Sequence, residues 1–450
     1  MLFKIEWLDN IFPEKKGVLD KHTSINGVTI DSRDKAENSL FIPIKGDRFD
    51  GHDYIDSAIE SGAVAVLWDK NNSLPINNID KINIYLVEDT LMALQKLSQA
   101  YRDLINPKVI GVTGSNGKTT TKDILASVLS MKFKTHATKG NFNNHIGLPL
   151  TILSSPRDTE VLILEMGMSG PGEIDELVRI AKPDYAVITN IGESHIEHLG
   201  SRKGIANAKL EIMNNNNQNR VLIYDGDEDL LKGLSANNTY SCGFDSGNTY
   251  RLSDVNISTQ VTRFKLNDNT YEVPLLGDHH AKNAGFSIII AEKLGMLHEE
   301  IRQGLMQLEY TGMRFEMYDG QRGVTIINDA YNASPTSMKA AINVVDKLSL
   351  DKKKVLILGD ILEMGAEYEA YYLEIASVLE NTNIKYVYTY GEHSQIITDY
   401  LLDNTQIKAI HYTSRIDLTN ELKSLLSHDI LLFFKASRGL YLEKIISVLE

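Results

Sequence analysis

The chain has 450 residues, of which 42% are hydrophobic and 24% charged, a composition typical of a globular protein with more than one domain. Its formal net charge of −14 argues against bulk nucleic-acid binding, which requires a surplus of lysine and arginine facing phosphates. The single cysteine, Cys242, excludes an intrachain disulfide framework and any multi-cysteine metal site.

Nothing in the sequence predicts export or membrane insertion. No apolar run approaches the length of roughly 18 residues that a membrane-spanning helix needs. The N-terminus, MLFKIEWLDN, lacks a basic region followed by an apolar stretch and a small-residue cleavage site. We therefore expect a cytoplasmic monomer of three domains, covering residues 1–106, 107–311 and 312–450.

Residues 1–106 are predicted to form a small mixed α/β domain. Extended segments at 27–30, 40–44 and 63–68 precede a helix at 89–105, in which apolar residues recur at helical spacing. Polar side chains suited to binding an anion follow the first two segments: Ser32, Arg33, Lys45, Arg48, Asp50, Gly51 and His52. A pair of solvated turns would explain the same residues, and the sequence leaves both interpretations open.

The stretch VIGVTGSNGKTTT, residues 109–121, predicts a phosphate-binding loop between an apolar strand and a helix. Backbone N–H groups of such a loop converge on phosphate oxygens, its lysine reaches the β- and γ-phosphates, and the next hydroxyl can hold Mg²⁺. The generic spacing would place glycine at Val112, so a glycine-rich turn without a ligand is the competing interpretation. The predicted nucleotide contacts here are Gly114, Ser115, Asn116, Gly117, Lys118, Thr119 and Thr120.

From residue 109 to about 310, strands alternate with helices, which predicts a mostly parallel sheet covered on both faces. Glu165 follows the strand 161–164, at the sheet edge where the metal of a bound nucleotide would lie. His195 comes out of the next strand, 185–191, at the same edge. Histidine is an uncommon Mg²⁺ ligand, so a functional role for it stays open at this point.

The rest of the central domain is predicted from its periodicity and composition. A helix covers 202–213, where Lys209 is most simply a solvated surface lysine, and a polar surface turn follows at 214–217. Residues 250–275 are β-rich. The isoleucines 288–290 favour a strand by propensity, but the length of their segment and its alanines favour a buried helix.

The C-terminal domain is predicted as a third βα series, with strands near 324–327, 355–358, 386–390 and 430–434. Because ligands of open α/β sheets bind outside the carboxyl ends of strands, the polar residues after three of these strands are expected to share one cleft. They are Asn328, Asp329, Tyr331 and Asn332, then Asp360 and Glu363, then Lys435, Ser437 and Arg438. Solvated loops would explain any one cluster taken alone.

Motifs spread over nearly the whole chain resemble the ATP-dependent Mur ligases of peptidoglycan synthesis. They are DSR at 31–33, FIPIKGDRFDGHDYI at 41–55, TGSNGKTTT at 113–121, TKGNFNNHIGLP at 138–149, LEMGM at 164–168, NIGESHIEHLG at 190–200, NAKLEI at 207–212, GDHHAKNA at 277–284, MRFE at 313–316, NDAYNASPTSM at 328–338, LGDILEMG at 358–365 and KASRG at 435–439. Within GDHHAKNA, Asn283 matches the nucleotide-contacting asparagine of the family, whereas His280 departs from its usual asparagine.

The resemblance implies a three-domain α/β protein. A small mixed N-terminal domain would hold the UDP end of the substrate, a central P-loop domain with a doubly wound parallel sheet would bind ATP, and a Rossmann-like C-terminal domain would bind the amine. Such enzymes phosphorylate a carboxylate with ATP, and an amine then attacks the acyl phosphate. NDAYNASP and LGDILEMG look most like the member that adds D-alanyl-D-alanine to UDP-N-acetylmuramoyl-tripeptide. The closest alternative is the sister enzyme that adds lysine or meso-diaminopimelate to the dipeptide precursor.

The resemblance also assigns candidate roles to residues. One Mg²⁺ would lie on Thr119 and Glu165 and a second near His195 and a carbamate of Lys209, with Lys118 at the transferred phosphoryl group. ATP would further contact Asn283, Arg314 and Asp329, and the incoming dipeptide would meet Asn332, Lys435 and Ser437. The UDP-substrate would contact the seven anion-suited residues of the first domain together with Asn141, Asn143 and Asn144.

Two other function classes compete with the ligase interpretation. A P-loop kinase or motor ATPase would share the loop, but a kinase needs no amine-binding third domain, and a motor usually has a nucleic-acid or partner surface, which this acidic chain lacks. A non-catalytic nucleotide-gated binding module is the other alternative. The joint presence of Lys118, Glu165 and His195 argues against it. The sequence leaves open whether the acceptor tripeptide ends in lysine or diaminopimelate.

Overall fold

A computed structural model of the protein describes residues 1–18, 22–75, 77, 80–214, 219–234, 237–309 and 312–450. Across these residues the strands form sheets of two, five, nine and six strands, with helices packed on them. The predicted α/β class is therefore confirmed, while the three domain boundaries stay a prediction. None of the described helices combines the length and hydropathy needed to cross a lipid bilayer.

The N-terminal part is built around a five-stranded sheet in the order β2-β7-β6-β5-β4, in which β4 to β7 are parallel and β2 is antiparallel. Strands β1 and β3 form a separate two-stranded ribbon. The elements are β1 (Phe3–Lys4), α1 (Ile5–Ile11), β2 (Lys15–Gly17), β3 (Ser24–Ile25), β4 (Gly27–Thr29), β5 (Ser39–Phe41), a 3₁₀ turn (Gly51–Tyr54), α2 (Ile55–Glu60), β6 (Ala63–Asp69), β7 (Asn83–Val87) and α3 (Thr90–Ile105).

Helix α3 confirms the predicted helix and joins the N-terminal part to the central one. Asp89 caps its start by accepting a hydrogen bond from the N–H of Met92 at 2.7 Å. Its buried residues belong to one apolar cluster that continues into the central part of the chain. The Tyr101 hydroxyl donates to the carbonyl of Ser155 at 2.8 Å. The helix therefore packs against both the N-terminal and the central part, instead of belonging to the N-terminal part alone.

The central part carries the nine-stranded sheet, in the order β16-β15-β14-β13-β12-β11-β8-β10-β9. Strands β8 to β13 are parallel, and β14 to β16 form an antiparallel extension that confirms the predicted β-rich segment. The elements are β8 (Lys108–Thr113), α4 (Lys118–Ser130), β9 (Thr135–Ala137), α5 (Gly147–Ser154), β10 (Val161–Glu165), α6 (Glu173–Ala181), β11 (Tyr185–Ile188), α7 (Ile196–Leu199), α8 (Arg202–Leu210), a 3₁₀ turn (Glu211–Met213), β12 (Val221–Asp225), β13 (Thr239–Gly243), β14 (Tyr250–Ile257), β15 (Thr262–Leu266), β16 (Asn269–Val273), α9 (Asp278–Lys293) and α10 (His298–Met306).

Strand β8 pairs with β10 on one side and with β11 on the other, so the carboxyl ends of all three open onto one crevice. The prediction extended β11 to residue 191, but the strand ends at Ile188. The reason is that Thr189 turns onto the loop between β8 and α4, where its hydroxyl donates to the carbonyl of Asn116 at 2.5 Å.

Two helices of this part also bear on the predictions. The helix predicted over 202–213 is α-helical only to Leu210 and ends in a 3₁₀ turn, in which Glu211 accepts hydrogen bonds from the N–H groups of Gly172 and Asp175. The predicted turn at 214–217 lies outside the described residues except for Asn214. The isoleucines 288–290 are fully buried within α9, which confirms the helix over the strand.

The C-terminal part has a six-stranded sheet in the order β17-β18-β22-β19-β20-β21, parallel except for β17. Its four predicted strands are present, and the sequence prediction missed β17 and β21. The elements are β17 (Glu316–Asp319), a 3₁₀ turn (Gln321–Gly323), β18 (Thr325–Asn328), α11 (Pro335–Lys347), β19 (Lys353–Gly359), α12 (Tyr368–Glu380), β20 (Tyr386–Tyr390), α13 (Gln395–Asn404), β21 (Lys408–Tyr412), α14 (Arg415–Leu425), β22 (Ile430–Lys435), a 3₁₀ turn (Arg438–Leu440) and α15 (Glu443–Leu449).

Candidate active site

A cavity of about 680 Å³ lies at the carboxyl ends of the central strands and is closed on its other side by the C-terminal part. Its walls hold the loop between β8 and α4, the ends of β10 and β11, the start of α9, and the loops after β18 and β22. Polar residues after β18 and β22 thus meet those of the central sheet, as predicted, and they are Asp329, Tyr331, Asn332 and Lys435. The other residues predicted for this cleft do not line the cavity, and they are Asn328, Asp360, Glu363, Ser437 and Arg438. Asp360 instead accepts hydrogen bonds from the N–H groups of residues 392–394, which turns its carboxylate away from the cleft.

The loop between β8 and α4 needs its two glycines for their backbone conformation and their size. Gly114 and Gly117 have φ values of 149° and 79°, a region that other residues rarely adopt. A Cβ atom on Gly114 would lie 1.8 Å from the Thr189 hydroxyl, and one on Gly117 would lie 2.7 Å from Oδ1 of Asn283. The chain can therefore bring a strand end and helix α9 against the loop only with glycine at both positions.

Lys118 begins α4 and folds back over the loop. Its Nζ donates to the carbonyl of Gly114 at 2.7 Å and approaches that of Ser115 at 3.4 Å. Burial lowers the pKa of this ammonium, the nearby carboxylate of Glu165 acts in the opposite direction, and Arg314 lowers it further. A phosphate at this position would supply the negative charge that the buried ammonium needs.

Thr119, Glu165, Asn143 and Arg314 form one polar cluster in the cavity. The Thr119 hydroxyl donates to Oε2 of Glu165 at 2.8 Å, and Nδ2 of Asn143 donates to Oε1 of the same carboxylate at 2.8 Å. Nη2 of Arg314 donates to the Thr119 hydroxyl at 2.9 Å, although the two residues are 195 positions apart in the chain. The guanidinium of Arg314 also stacks over the ring of Tyr331, 4.3 Å from its centroid.

The donor atoms of this cluster fit Mg²⁺. A hydroxyl and a carboxylate supply the hard oxygen ligands that this ion prefers, and bound phosphates ordinarily complete such a site. Among the described residues there is no group of three or more histidine, cysteine, aspartate or glutamate side chains with a metal-binding arrangement. The oxygens of Thr119 and Glu165 therefore fit a magnesium–nucleotide complex better than a metal cage built by the protein alone.

His195 lies at the cavity wall, in a left-handed backbone conformation with φ 63°. Its Nδ1 atom is 2.5 Å from Oε2 of Glu363, which comes from the C-terminal part. Burial lowers the pKa of the imidazole, and the carboxylate of Glu363 opposes this effect. The structure thus brings His195 to the site on the same edge as Glu165, as the sequence predicted.

Lys209 is not a solvated surface lysine. It lies on α8 and is 2% exposed, and the residues that line the cavity do not include it. Burial lowers the pKa of its amine well below the ordinary value, and the ammonium of Lys118 lowers it further. The simplest interpretation of this residue from the sequence was therefore wrong.

The C-terminal part and α9 supply most of the other predicted nucleotide and dipeptide residues. Asn283, Asp329, Asn332 and Lys435 line the cavity. The Lys435 ammonium lies 2.6 Å from Oδ2 of Asp329 and 3.3 Å from the carbonyl of Asn332. Ser437 lies outside the cavity lining, where its hydroxyl accepts a hydrogen bond from the N–H of Leu362 at 2.9 Å.

The residues predicted for the UDP end of the substrate do not line this cavity, apart from Asn143 and Asn144. Asp50 accepts a hydrogen bond from the N–H of His52 at 3.0 Å, and the buried His52 ring packs edge-on against Trp68. A Cβ on Gly51 would lie 2.8 Å from the backbone nitrogen of Ile44. These three residues thus shape the turn, while Arg33, with a side chain 84% exposed, is free to face a ligand beside its partner Asp31.

The structure adds residues that the sequence reasoning missed. The clearest are Glu193, Ser334 and Thr336, which make hydrogen bonds between the central and C-terminal parts. Each sits within a motif that was noted, but their pairing depends on the tertiary fold. His280, noted in the sequence only as a departure from the family's asparagine, also lines the cavity, and neither of its ring nitrogens has a hydrogen-bond partner among the described residues.

Comparison with known proteins gives consistent matches along the chain. The family model described as the Mur ligase middle domain matches residues 112–291, that of the Mur ligase glutamate ligase domain matches 313–438, and that of the Mur ligase family catalytic domain matches 24–102. The UDP-N-acetylmuramoyl-tripeptide–D-alanyl-D-alanine ligase of Bacillus subtilis is 47% identical over 444 residues, covering 97% of this chain and 96% of that protein. The enzyme of the same name from Rickettsia prowazekii is 35% identical over 439 residues, covering 95% and 96%.

Solved structures of similar proteins have the same architecture. A crystal structure of MurF from Acinetobacter baumannii has a TM-score of 0.86 at 27% identity and covers 99% of this chain and 98% of that one. The MurF ligase of Thermotoga maritima in complex with ADP has a TM-score of 0.82 at 30% identity and covers 94% and 96%.

Proposed function

The chain belongs to the Mur ligase family, and from that membership we propose that it joins D-alanyl-D-alanine to UDP-N-acetylmuramoyl-tripeptide with ATP. The observation that carries the proposal is the 47% identity, over 97% of the chain, to a ligase named for this reaction. The products are UDP-N-acetylmuramoyl-pentapeptide, ADP and phosphate. We expect a monomer, and we expect it to act in the cytoplasm because the reaction consumes ATP.

The chemistry requires activation of a carboxylate, because a carboxylate is anionic and has no leaving group. Transfer of the γ-phosphoryl group of ATP gives an acyl phosphate, and the amino group of the dipeptide displaces phosphate from it. Charge gathers on the transferred phosphoryl oxygens, so positioned cations and N–H donors accelerate this step. The site combines both in the Lys118 ammonium and the loop backbone.

Mg²⁺, held by Thr119 and Glu165, would neutralise phosphate charge at this site. Asn143 orients the Glu165 carboxylate through its hydrogen bond at 2.8 Å. Arg314, whose guanidinium donates to the Thr119 hydroxyl, is the proposed contact of the γ-phosphate. Asn283 and Asp329 are the proposed contacts of the adenosine.

Lys209 is proposed to act as a carbamate. Its burial and the lowered pKa favour the neutral amine, which is the form that condenses with CO₂. The carbamate is anionic and has two oxygens with carboxylate geometry, so it would balance the Lys118 ammonium and serve with His195 as ligands of a second Mg²⁺. A bare ammonium there would be repelled by the ion.

The substrate contacts at the two ends of the site are proposals of the same kind. Lys435 and Asn332 line the cavity from the C-terminal part and are the proposed contacts of the incoming dipeptide. Ser437 is placed to support them indirectly, through the loop that carries Leu362. Arg33, Lys45 and Arg48 of the N-terminal part are the proposed contacts of the UDP phosphates.

The test is phosphate release from ATP with UDP-N-acetylmuramoyl-tripeptide as acceptor, supplied in lysine- and diaminopimelate-containing forms. D-alanyl-D-alanine, lysine, diaminopimelate or no amine is added in turn. Release that depends on D-alanyl-D-alanine is expected. Release with lysine or diaminopimelate, and with the dipeptide precursor as acceptor, would show the sister activity instead, and release without any amine would show a simple ATPase.

A further inference from the structure

The start of helix α11 is bound by a carboxylate that comes from the other side of the cleft. Thr336 donates from its backbone N–H to Oε2 of Glu193 at 3.2 Å, and its hydroxyl lies 2.9 and 2.8 Å from the two carboxylate oxygens. Glu193 follows β11 in the central sheet and is 7% exposed. The buried carboxylate is thus hydrogen-bonded to the first turn of a helix in the C-terminal part instead of to water.

A second hydrogen bond lies beside the first and reaches the phosphate-binding loop itself. Ser334, the N-cap of α11, accepts from the N–H of Ser337 and donates from its hydroxyl to Oδ1 of Asn116 at 3.0 Å. Asn116 is held from the central side as well, since its N–H donates to Oδ1 of Asn190 at 2.9 Å. The loop between β8 and α4 is therefore hydrogen-bonded to the central part and to the C-terminal part.

These hydrogen bonds are of a kind that can form when the central and C-terminal parts come together and break when they separate. The first N–H groups of a helix have no partner inside it, and its N-terminus carries partial positive charge. Glu193 supplies both the acceptor and the opposite charge, and hydrogen bonds to an ionised group are stronger than neutral ones. When the parts separate, both partners can be hydrated, so separation leaves no buried charge behind.

We propose that Glu193 and Thr336 form a latch that holds the C-terminal part closed over the phosphate-binding loop during the reaction. The two are positioning residues: the latch keeps Arg314 against Thr119 and leaves the chemistry to other groups. The proposal rests on the proposed ligase function for its kinetic readout, but not for its structural one.

The test uses the full-length protein and a double-mutant cycle. Thr336→Val removes the hydroxyl at nearly constant volume, Thr336→Ser retains it, and Glu193→Gln removes the charge. Thr419→Val is the matched control, because that hydroxyl bonds only within α14, to the carbonyl of Arg415. Melting temperatures of all variants are measured first.

Two readouts are taken: kcat in the ligase assay, and compaction by small-angle X-ray scattering on adding a non-hydrolysable ATP analogue and UDP-tripeptide. Thr336→Val and Glu193→Gln should each lower kcat about 10- to 100-fold, the range that a hydrogen bond to a charged group contributes to an equilibrium. Both should lose compaction at an unchanged melting temperature, Thr336→Ser should retain it, and the control should match the parent.

The double variant should be no worse than the poorer single variant, because both changes remove the same interaction. Additive losses, or a Thr336→Val variant that compacts and turns over like the parent, would overturn the latch. A parent that compacts but releases no phosphate with D-alanyl-D-alanine would refute the ligase assignment instead. The scattering comparison of the variants would then still decide the latch.

Discussion

Replacing Lys118 by alanine distinguishes a role in phosphate chemistry from a role in folding, because the two roles predict different changes in turnover and in melting temperature. Among the described residues its ammonium bonds only to the loop carbonyls of Gly114 and Ser115, and burial disfavours its charge. Losing such hydrogen bonds costs about 1 kcal/mol each, and relief of the buried charge offsets part of that loss. For a domain of roughly 200 residues, 1 kcal/mol corresponds to about 2–4 °C in Tm. The variant should therefore fold normally and melt within a few degrees of the parent.

Turnover should fall much further, because the ammonium is the positive charge nearest the loop that would receive phosphate. Loss of one preorganised charge-stabilising group lowers kcat by at least ~10²-fold, or about 2.7 kcal/mol in the barrier. The assay is phosphate release with ATP, UDP-tripeptide and D-alanyl-D-alanine. Lys108→Ala is the control, since that lysine is exposed at the opposite end of β8. A Lys118→Ala variant with normal melting and more than about a tenth of parental activity would refute the role.

Four further outcomes are expected. Lys209→Ala should be nearly inactive in phosphate release and partly restored by acetate, and Lys209→Arg should be inactive at an unchanged fold by circular dichroism; an active Lys209→Arg would exclude the carbamate. His280 is buried as the neutral imidazole near His279, Arg314 and Lys435, so its pKa is well below the ordinary value. Below about pH 6.5 the unfolded chain therefore binds more protons than the folded chain, so the free energy of unfolding should decrease as the pH is lowered, by at most ~1.4 kcal/mol per pH unit for this residue. The His280→Gln variant should show a smaller decrease in denaturant titrations. An unchanged slope of the free energy of unfolding against pH would count against this reasoning. Asp360 accepts N–H bonds from residues 392–394, so Asp360→Asn should lower the free energy of unfolding by about 1–3 kcal/mol, measured in urea. Ligands should close the C-terminal part about a hinge at the predicted domain boundary, Thr311-Gly312, and so compact the protein in solution scattering; Thr311 lies outside the described residues.

Most of the fold could be predicted because local pattern and tertiary environment agree. The run 161–164 is apolar and buried between two parallel strands, and α3 has both a capping aspartate and a helical apolar stripe. The missed strands β17 and β21 lie at sheet edges, where a half-exposed pattern carries a weaker signal. The early end of β11 could not be predicted, since it depends on the bond from Thr189 to the loop.

The site residues, like the elements of the fold, were predictable only where a local pattern determined their position. Strand ends predicted which side chains would meet, because parallel strands end at one edge. Whether a residue faces a ligand or shapes a turn was not predictable: His52 is buried against Trp68, and Ser437 holds a backbone N–H. The pairing of Glu193 with Thr336 joins the loop after β11 to helix α11, 143 positions apart in the chain, and leaves no local signal in the sequence.

The central claim, ligation through an acyl phosphate, is tested most directly by following oxygen from the acceptor. UDP-N-acetylmuramoyl-tripeptide labelled with heavy oxygen in the carboxylate that is activated is incubated with the enzyme, ATP and D-alanyl-D-alanine, and the products are analysed by mass spectrometry. An acyl-phosphate intermediate predicts pentapeptide that keeps one labelled oxygen and phosphate that carries the other. Unlabelled phosphate, or tripeptide that is not extended by the dipeptide, would contradict it.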